Sequence, residues 1–360
     1  MKKIGILSIN GTLNYGAVLQ EYALYNFLKE NGFDVQIINY VNKAIFSKEH
    51  PSLKNAKSIK KLLTFFLLRN KIKSKDLKFS EFEKKMIFSN KITNINDEEL
   101  KDFDYIIVGS DQVWNTKITA NDMNFFLKGI TDSDKKKTYA ASFGYIDLPP
   151  TYEKIITNEL SSFSSLLIRE KEPCDYIREK YGLQCDNVLD PTLILDKKEW
   201  HSLVGPNPIC SDEYILVYFP RNKKRCFDQI KEIEKRDSKK YKVIYINISP
   251  RKQIGVKNIY DAAPVEFLNL INFAKYVIVG SFHGLAFSII FNKQFYYDDF
   301  DPNIELQGRL TSLMNILGIK GRELSRVDSS NIDYNNVNIS LQKHVDKSRR
   351  LLLESINKGI

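Results

Sequence analysis

Four short polar clusters in this chain combine side chains that can move protons or hold anions, and each ends an apolar run. Ser281-Phe282-His283-Gly284 follows the run Tyr276–Gly280 and precedes an apolar segment with helical spacing. Histidine is the side chain best matched to proton transfer near neutral pH, and a helix N-terminus stabilises an adjacent anion. A lone histidine on an apolar face is usually structural. This one stands at the carboxyl end of a strand beside two glycines, which favours a chemical role. Gly109-Ser110-Asp111-Gln112-Val113-Trp114-Asn115 ends a second run. There Asp111 can act as a general base or bind sugar hydroxyls, and Trp114 can stack on a sugar ring. Taken singly, Ser110 or Asp111 as a helix cap and Trp114 as core explain the same residues. Ile168-Arg169-Glu170 ends a third run, where Arg169 either grips a phosphate or carboxylate or pairs with Glu170. In Asn10-Gly11-Thr12-Leu13-Asn14-Tyr15-Gly16 the glycines let backbone approach a ligand ahead of a helix. Neither a dinucleotide fingerprint nor a P-loop is present there.

These clusters need a parallel sheet to position them. Lys3–Ile9, Asp34–Tyr40, Tyr105–Ser110, Lys137–Phe143, Ser165–Arg169 and Val188–Pro191 read as short strands buried on both faces. A helix over Ala17–Glu30 stops at Asn31-Gly32. The stretch His201–Asp212, with Gly205, Pro206 and Pro208, marks a domain boundary. Beyond it the pattern restarts with strands at Tyr214–Phe219, Lys242–Ile248, Tyr276–Gly280 and Phe295–Tyr297, and with helices opening at Pro264 and near His283. Leu310–Leu317 and Ile339–Ile356 are further helices. The expected fold is α/β, two Rossmann-like doubly wound domains facing each other across a cleft. Residues 1–200 form the first, with a basic helical insertion at about 47–95; 212–330 form the second; 331–360 form a C-terminal helix that packs back on the first. Ligands of such sheets sit beyond the carboxyl ends of the strands.

Composition excludes other classes. With 43% hydrophobic and 27% charged residues the chain is globular rather than disordered. No apolar run reaches the roughly 18–20 residues of a membrane span, and the apolar stretch after Met1-Lys2-Lys3 is too short for a signal peptide, so a cytoplasmic protein is expected. Cys174, Cys185, Cys210 and Cys226 read as reduced, individually placed thiols. The net charge of +10 is uneven: Ser47 to Ser80 holds ten Lys/Arg against two acids around an apolar stretch, Ser58–Leu68. Such a segment fits an anionic membrane surface or an acidic substrate, or a solvated helix packed on the first domain. Nucleic acid is not an expected partner, because no helix-turn-helix, RNP-like or zinc pattern accompanies the charge. His50, His201 and His344 lack partners in sequence, and Asp298-Asp299-Phe300-Asp301 reads as a polar loop rather than a metal site.

In their order, these segments resemble the polysaccharide pyruvyl transferase family. The matching pieces are Asn14-Tyr15-Gly16-Ala17-Val18-Leu19-Gln20, Gly109 to Asn115, Ala140-Ala141-Ser142-Phe143-Gly144, Ile168-Arg169-Glu170 and Asp190-Pro191-Thr192-Leu193. Pro264-Val265-Glu266-Phe267-Leu268 and Ser281-Phe282-His283-Gly284 with Phe287-Ser288 complete the set. Each is short; the joint order, over nearly the whole chain, is specific. The resemblance implies a glycosyltransferase-B-like architecture and an enzyme that attaches the pyruvyl group of phosphoenolpyruvate to two sugar hydroxyls as a cyclic ketal. Phosphate leaves, neither cofactor nor metal is needed, and the pathway is that of cell-surface polysaccharide. It implies catalytic roles for His283 and Asp111 and donor contacts from Ser281, His283 and Gly284. Acceptor contacts are implied for Asn14, Tyr15, Gly16, Asp111, Gln112 and Trp114. Many members resemble a pattern with Arg two positions before the His, where this chain has Ser281; the missing charge falls to Arg221, Arg251 or Arg309. Acceptors in such pathways are often lipid-linked, which would bring the 47–80 segment to the inner face of the membrane. Two alternatives stay open: a glycosyltransferase with a nucleotide-sugar donor, and a non-catalytic subunit of a polysaccharide assembly complex.

Overall fold

The computed structural model describes residues 1–50, 59–144, 153, 157–218, 220, 222–247, 252–298, 305–324 and 330–357, the side chains of 59–65 and 305–309 excepted. In chain order the elements begin with β1 (Lys3–Leu7), α1 (Tyr15–Glu30), β2 (Asp34–Ile37), α2 (Lys43–Glu49), α3 (Ile59–Glu83), β3 (Tyr105–Val108) and β4 (Lys136–Thr138). There follow β5 (Leu167–Ile168), α4 (Lys171–Tyr181), β6 (Asp186–Asn187), α5 (Lys197–Val204), β7 (Tyr214–Tyr218), α6 (Lys223–Arg236), β8 (Lys242–Ile246) and β9 (Lys257–Ile259). The last are α7 (Pro264–Asn272), β10 (Tyr276–Val279), α8 (Phe282–Ile290), β11 (Gln294–Tyr297), α9 (Glu305–Leu317) and α10 (Tyr334–Asn357). They make two doubly wound α/β units. Met1–His50, Glu83–Leu195 and Gln342–Ile360 form the first; Pro51–Phe82 and Asp196–Leu341 form the second.

In the first unit a parallel sheet runs β2-β1-β3-β4, with Ile4 in register with Val35 and Tyr105, and Leu7 with Val108. Single bridges from Lys137 to Ser165 and from Ala141 to Ile168 carry the β5–β6 pair alongside. Ile4, Ile6, Ile106, Ile107 and Val108 are wholly buried, as central strands between two helical layers must be. The expected strand at Lys137–Phe143 is confined to Lys136–Thr138, because Ala140 turns into the left-handed region. Val188–Pro191 is not a strand: Asp190 instead caps the helical turn Pro191–Ile194, its carboxylate accepting from the Thr192 amide at 3.0 Å.

The second unit's sheet is again parallel, in the order β11-β10-β7-β8-β9, with Tyr218 opposite Val279. α7 starts at Pro264 as expected, with Glu266 accepting from the Ala263 amide at 2.7 Å. The basic insertion groups differently from expectation. Residues 51–82 cluster with the second unit, because Lys71 and Lys78 of α3 find Asp261 (3.3 Å) and Glu266 (2.9 Å) there. The division of the chain falls at 195/196 rather than within 201–212. α5 runs to Val204 before Gly205 ends it, and its Trp200 packs edge-on against Phe287 at 4.9 Å.

α10 belongs to both units, through Leu341 to the second and from Gln342 to the first. In the first unit Ser348 accepts from the Leu189 amide at 3.0 Å, Arg349 donates to the Ile194 carbonyl at 2.8 Å, and Leu352 and Ile356 are fully buried. Among the described residues no helix is long and apolar enough to cross a membrane. All four cysteines are reduced and buried, but two are not individually placed: Cys174 and Cys185 hydrogen-bond to each other.

Candidate functional site

A doubly wound sheet opens a crevice at its carboxyl edge where the strand order reverses. The reversal lies between β1 and β3 in the first unit, and between β7 and β10 in the second. Both places carry polar clusters singled out above.

At the first, Gln20 of α1 ties the two strand-end loops together. Its amide nitrogen donates to Ser8 Oγ (2.8 Å), its oxygen accepts from the Ser110 amide (3.1 Å), and Ser8 Oγ donates to the Ser110 carbonyl (3.2 Å). A side chain at Gly109 is impossible, since a Cβ there would stand 2.3 Å from the Tyr139 carbonyl at φ +117°. The next loop residue, Asp111, has φ +69°, which an Asp tolerates better than most residues.

Behind this loop the Arg169 guanidinium is only 3% exposed and meets three carboxylates. Nη1 is 3.0 Å from Asp190, Nε is 3.3 Å from Glu170, and Nη2 is 4.0 Å from Asp111. Burial alone would lower the Arg169 pKa, but Glu170, Asp190 and Asp111 outweigh it and hold the group charged. Ser142 donates to Glu170 Oε1 at 2.5 Å, and Ser110 Oγ donates to Asp190 at 3.3 Å. The Thr192 hydroxyl donates to the other Asp190 oxygen at 2.8 Å. Pairing of Arg169 with Glu170 was legible from their adjacency. Asp190 and Ser142 were not assigned from sequence, although an Asp before Pro is a usable sign of a helix start.

Several expected acceptor contacts move into the framework. Trp114 is 0% exposed, donates to the Phe125 carbonyl (2.9 Å) and stacks on Phe126; it is core and offers no face to a sugar. Tyr15 is 1% exposed and Gly16 is buried, so they hold the start of α1 rather than face a ligand. Asn14 is exposed, but its oxygen is engaged as the cap of α1, accepting from the Gly16 amide at 2.9 Å. Gln112 accepts from Asn115 at 2.7 Å and is hemmed in by Gly144. Asp111 keeps a carboxylate at the strand end, 11% exposed beside the guanidinium.

At the second reversal, β10 leads straight into α8. Ser281 is extended (φ −132°) and caps the helix, its Oγ accepting from the Gly284 amide at 3.1 Å. A Cβ on Gly284 would lie 2.9 Å from Ser281 Oγ and from Val279, and 3.1 Å from the Tyr218 ring, so glycine lets α8 sit directly on β10 and β7. His283 is in the first turn, half-buried, edge-on to the Phe282 ring at 5.3 Å. The positive end of the helix dipole and an imidazole thus share the crevice. Asp298 accepts from the Asn222 amide at 2.6 Å at the start of α6, a structural task. Asp299 and Asp301 lie outside the described residues, among which no group of three His, Cys, Asp or Glu could hold a metal. Arg221 and Arg251 also lie outside the described residues; Arg309 is on α9, its side chain outside them.

A model of the family described as polysaccharide pyruvyl transferase matches residues 14–297, a span that contains the Arg169 cluster and the whole of the second crevice. No curated protein matches the chain. Among solved structures, the UDP-GlcNAc 2-epimerase of Methanocaldococcus jannaschii is 13% identical, with 97% of this chain and 94% of that one covered at a TM-score of 0.46. The UDP-GlcNAc 2-epimerase of Neisseria meningitidis bound to UDP-GlcNAc is 8% identical, with 99% and 100% covered and a TM-score of 0.48. An alpha-glucosyltransferase in complex with UDP and a 13-mer DNA is 11% identical, with 98% and 94% covered and a TM-score of 0.48.

Proposed function

The chain belongs to the polysaccharide pyruvyl transferase family, and on that premise we propose that it moves the pyruvyl group of phosphoenolpyruvate onto two hydroxyls of a saccharide as a cyclic ketal. The observation that carries this reading is the Ser281-capped start of α8 at the β7/β10 reversal, with His283 in its first turn. The donor carries a carboxylate and a phosphate, and a helix N-terminus with an imidazole suits both. In the reaction C3 of the donor gains a proton and becomes a methyl group. Two C–O bonds form at C2, and the C2–O bond to phosphate breaks. Of the two hydroxyl protons lost by the sugar, one balances the proton gained at C3 and the other leaves on phosphate. His283 either handles one of these protons or hydrogen-bonds the departing phosphate. Asp111 takes a hydroxyl proton from the acceptor. The charge around it supports that side for a polyol: three carboxylates against one guanidinium repel an anionic donor and accept hydrogen bonds from hydroxyls. No resident cofactor is required, since the donor itself is the activated group. Phosphate release from phosphoenolpyruvate with a panel of glycosyl acceptors, with the ketal identified by NMR, tests the reaction. Absence of both donor turnover and calorimetric donor binding across the panel sinks it.

The pathway is that of cell-surface polysaccharide, on a lipid-linked acceptor at the cytoplasmic face of the membrane. What supports this is α3. Its Lys71 and Lys78 pair with Asp261 and Glu266, while Phe66, Arg69, Asn70, Lys73 and Leu77 repeat at helical spacing and are exposed. A basic helix showing Phe and Leu suits an anionic bilayer. Co-sedimentation with phosphatidylglycerol vesicles at low salt, weakened by Phe66→Ser with Lys73→Glu, is the expected result. Equal recovery with phosphatidylcholine vesicles refutes it.

A further inference from the structure

The first unit holds a second concavity that shares none of its lining with the Arg169 cluster. It is a cavity of about 700 Å³ beyond the carboxyl end of β2, within the roughly 300–1,000 Å³ range of small-molecule sites. Its floor is Tyr40 and Ile92, joined by a parallel bridge, and Asn42, Lys43, Phe46 and Lys91 stand around it. The floor is built. Asp122 accepts from the Tyr40 hydroxyl (2.5 Å) and the Asn42 amide (2.8 Å) on one oxygen, and from the Asn124 side chain (2.9 Å) on the other. Burial first, then the hydrogen bond to Asp122, pushes the Tyr40 phenol far up, so it stays a neutral donor.

That network saturates the one carboxylate among the described lining residues and leaves the cations to a ligand. Among the described residues, Lys43 and Lys91 are exposed and have no carboxylate partner. Phe46 is 43% exposed, with His50 stacked on its ring at 4.1 Å. An aromatic ring with polar neighbours is what a sugar ring packs on, and two unpaired ammoniums beside it call for an oxyanion.

The cavity is also wired to the first crevice. Glu49, at the end of α2, accepts from the Thr12 hydroxyl and from the Leu13 amide (2.6 Å), so α2 and the loop after β1 are fastened together. Gly11 (φ +64°) lies against Val41 and Phe46, where a Cβ would be 3.2 and 3.4 Å away. β2 and β3 flank β1, so their carboxyl ends are about 10 Å apart, the reach of an oligosaccharide rather than a single sugar.

We propose that this cavity is a subsite for a negatively charged sugar residue of the acceptor, neighbouring the residue that receives the pyruvyl group. The proposal rests on the reaction described above and names the acceptor's class: a glycan with a carboxylate or phosphate on a ring beside the modified one. The ¹⁵N-labelled full chain is titrated by NMR with D-glucuronate, α-D-glucose 1-phosphate, D-glucose and inorganic phosphate. The expected result is shifts centred on residues 40–47 and 91–93, and affinity for one of the two anionic sugars about 5- to 30-fold above that for glucose and for phosphate alone. Lys43→Gln with Lys91→Gln should bring it down to the glucose level. The carboxylate and phosphate arms then say which oxyanion the cavity takes. Equal binding of glucose, equal binding of inorganic phosphate, or an affinity unchanged in the double variant overturns the proposal. Phosphoenolpyruvate turnover is scored separately. Its absence with the titration intact removes the transfer reaction and leaves a site for charged sugars, whereas turnover with no such titration removes the subsite alone.

Discussion

At the β1/β3 reversal of the first unit, one buried guanidinium is enclosed by three carboxylates and by the hydroxyls of Ser110, Ser142 and Thr192. At the β7/β10 reversal of the second, a helix opens on a serine cap with an imidazole in its first turn. Both sheets reverse beside their first strand, yet one crevice is held by buried negative charge and the other by a positive helix end. On the reading proposed above, the sheet sets where a ligand sits, and the side chains after each strand set which sign of charge it carries. The difference extends to what each residue is for. In the first crevice most of the polar groups hold the loops in place, whereas in the second Gly284 and the Ser281 cap seat the helix, and the catalytic role proposed for His283 is the part left to test.

Removing the guanidinium tests the first half of that contrast and has the largest expected effect. Arg169→Met leaves buried carboxylates uncompensated and should cost about 3–5 kcal/mol in urea unfolding. A loss under about 1 kcal/mol would show that the cluster does not hold the loops. His283→Ala tests the other half: turnover should fall about 10²-fold or more with the unfolding midpoint unchanged. Near wild-type turnover takes His283 out of the mechanism, and a large drop in midpoint makes it structural. Gly284→Ala drives a Cβ to 2.9 Å from Val279 and should cost about 1–3 kcal/mol, mostly by lifting α8 off the sheet. If it is silent, the close approach of α8 to β10 and β7 is not needed. The smallest expected effect is one of slope. Glu21 on α1 is 2% exposed, and burial, with Glu83 adding to it, holds its carboxyl well above the ordinary range. Such a group contributes stability below the unfolded carboxylate pKa of roughly 4.3, and that contribution is lost as the pH rises through its folded value. Glu21→Gln should flatten the decline of the unfolding midpoint at higher pH; an unchanged slope would mean the carboxyl is not buried as described.

The second crevice was far more legible in the sequence than the first, for a physical reason. Tyr276–Gly280, Ser281 and the helix after it are contiguous, so strand, cap and histidine are all local signals. The same holds for Pro264 and Glu266 at the start of α7. The Arg169 cluster draws Asp111 and Asp190 from positions 58 and 21 residues away, and no periodicity reports which carboxylate meets which cation. α3 is the extreme case: its lysine pattern announced a basic helix, but Asp261 lies 190 residues from Lys71. Trp114 divides the two readings: as a single residue it reads as core, which its burial against Phe126 and Phe143 bears out, whereas the cluster around it suggested a sugar contact that the fold does not leave room for.

The path of α10 bears on the order of synthesis. The first unit begins the chain, but it includes the stretch from Gln342 on, with Ser348 and Arg349 engaging Leu189 and Ile194. On the ribosome the second unit has all its residues once Leu341 has been made, while the first, whose opening strands emerged long before, still lacks the helix that covers it. The first unit thus takes part of its core, Leu352 and Ile356, from a stretch that is made after the described residues of the second.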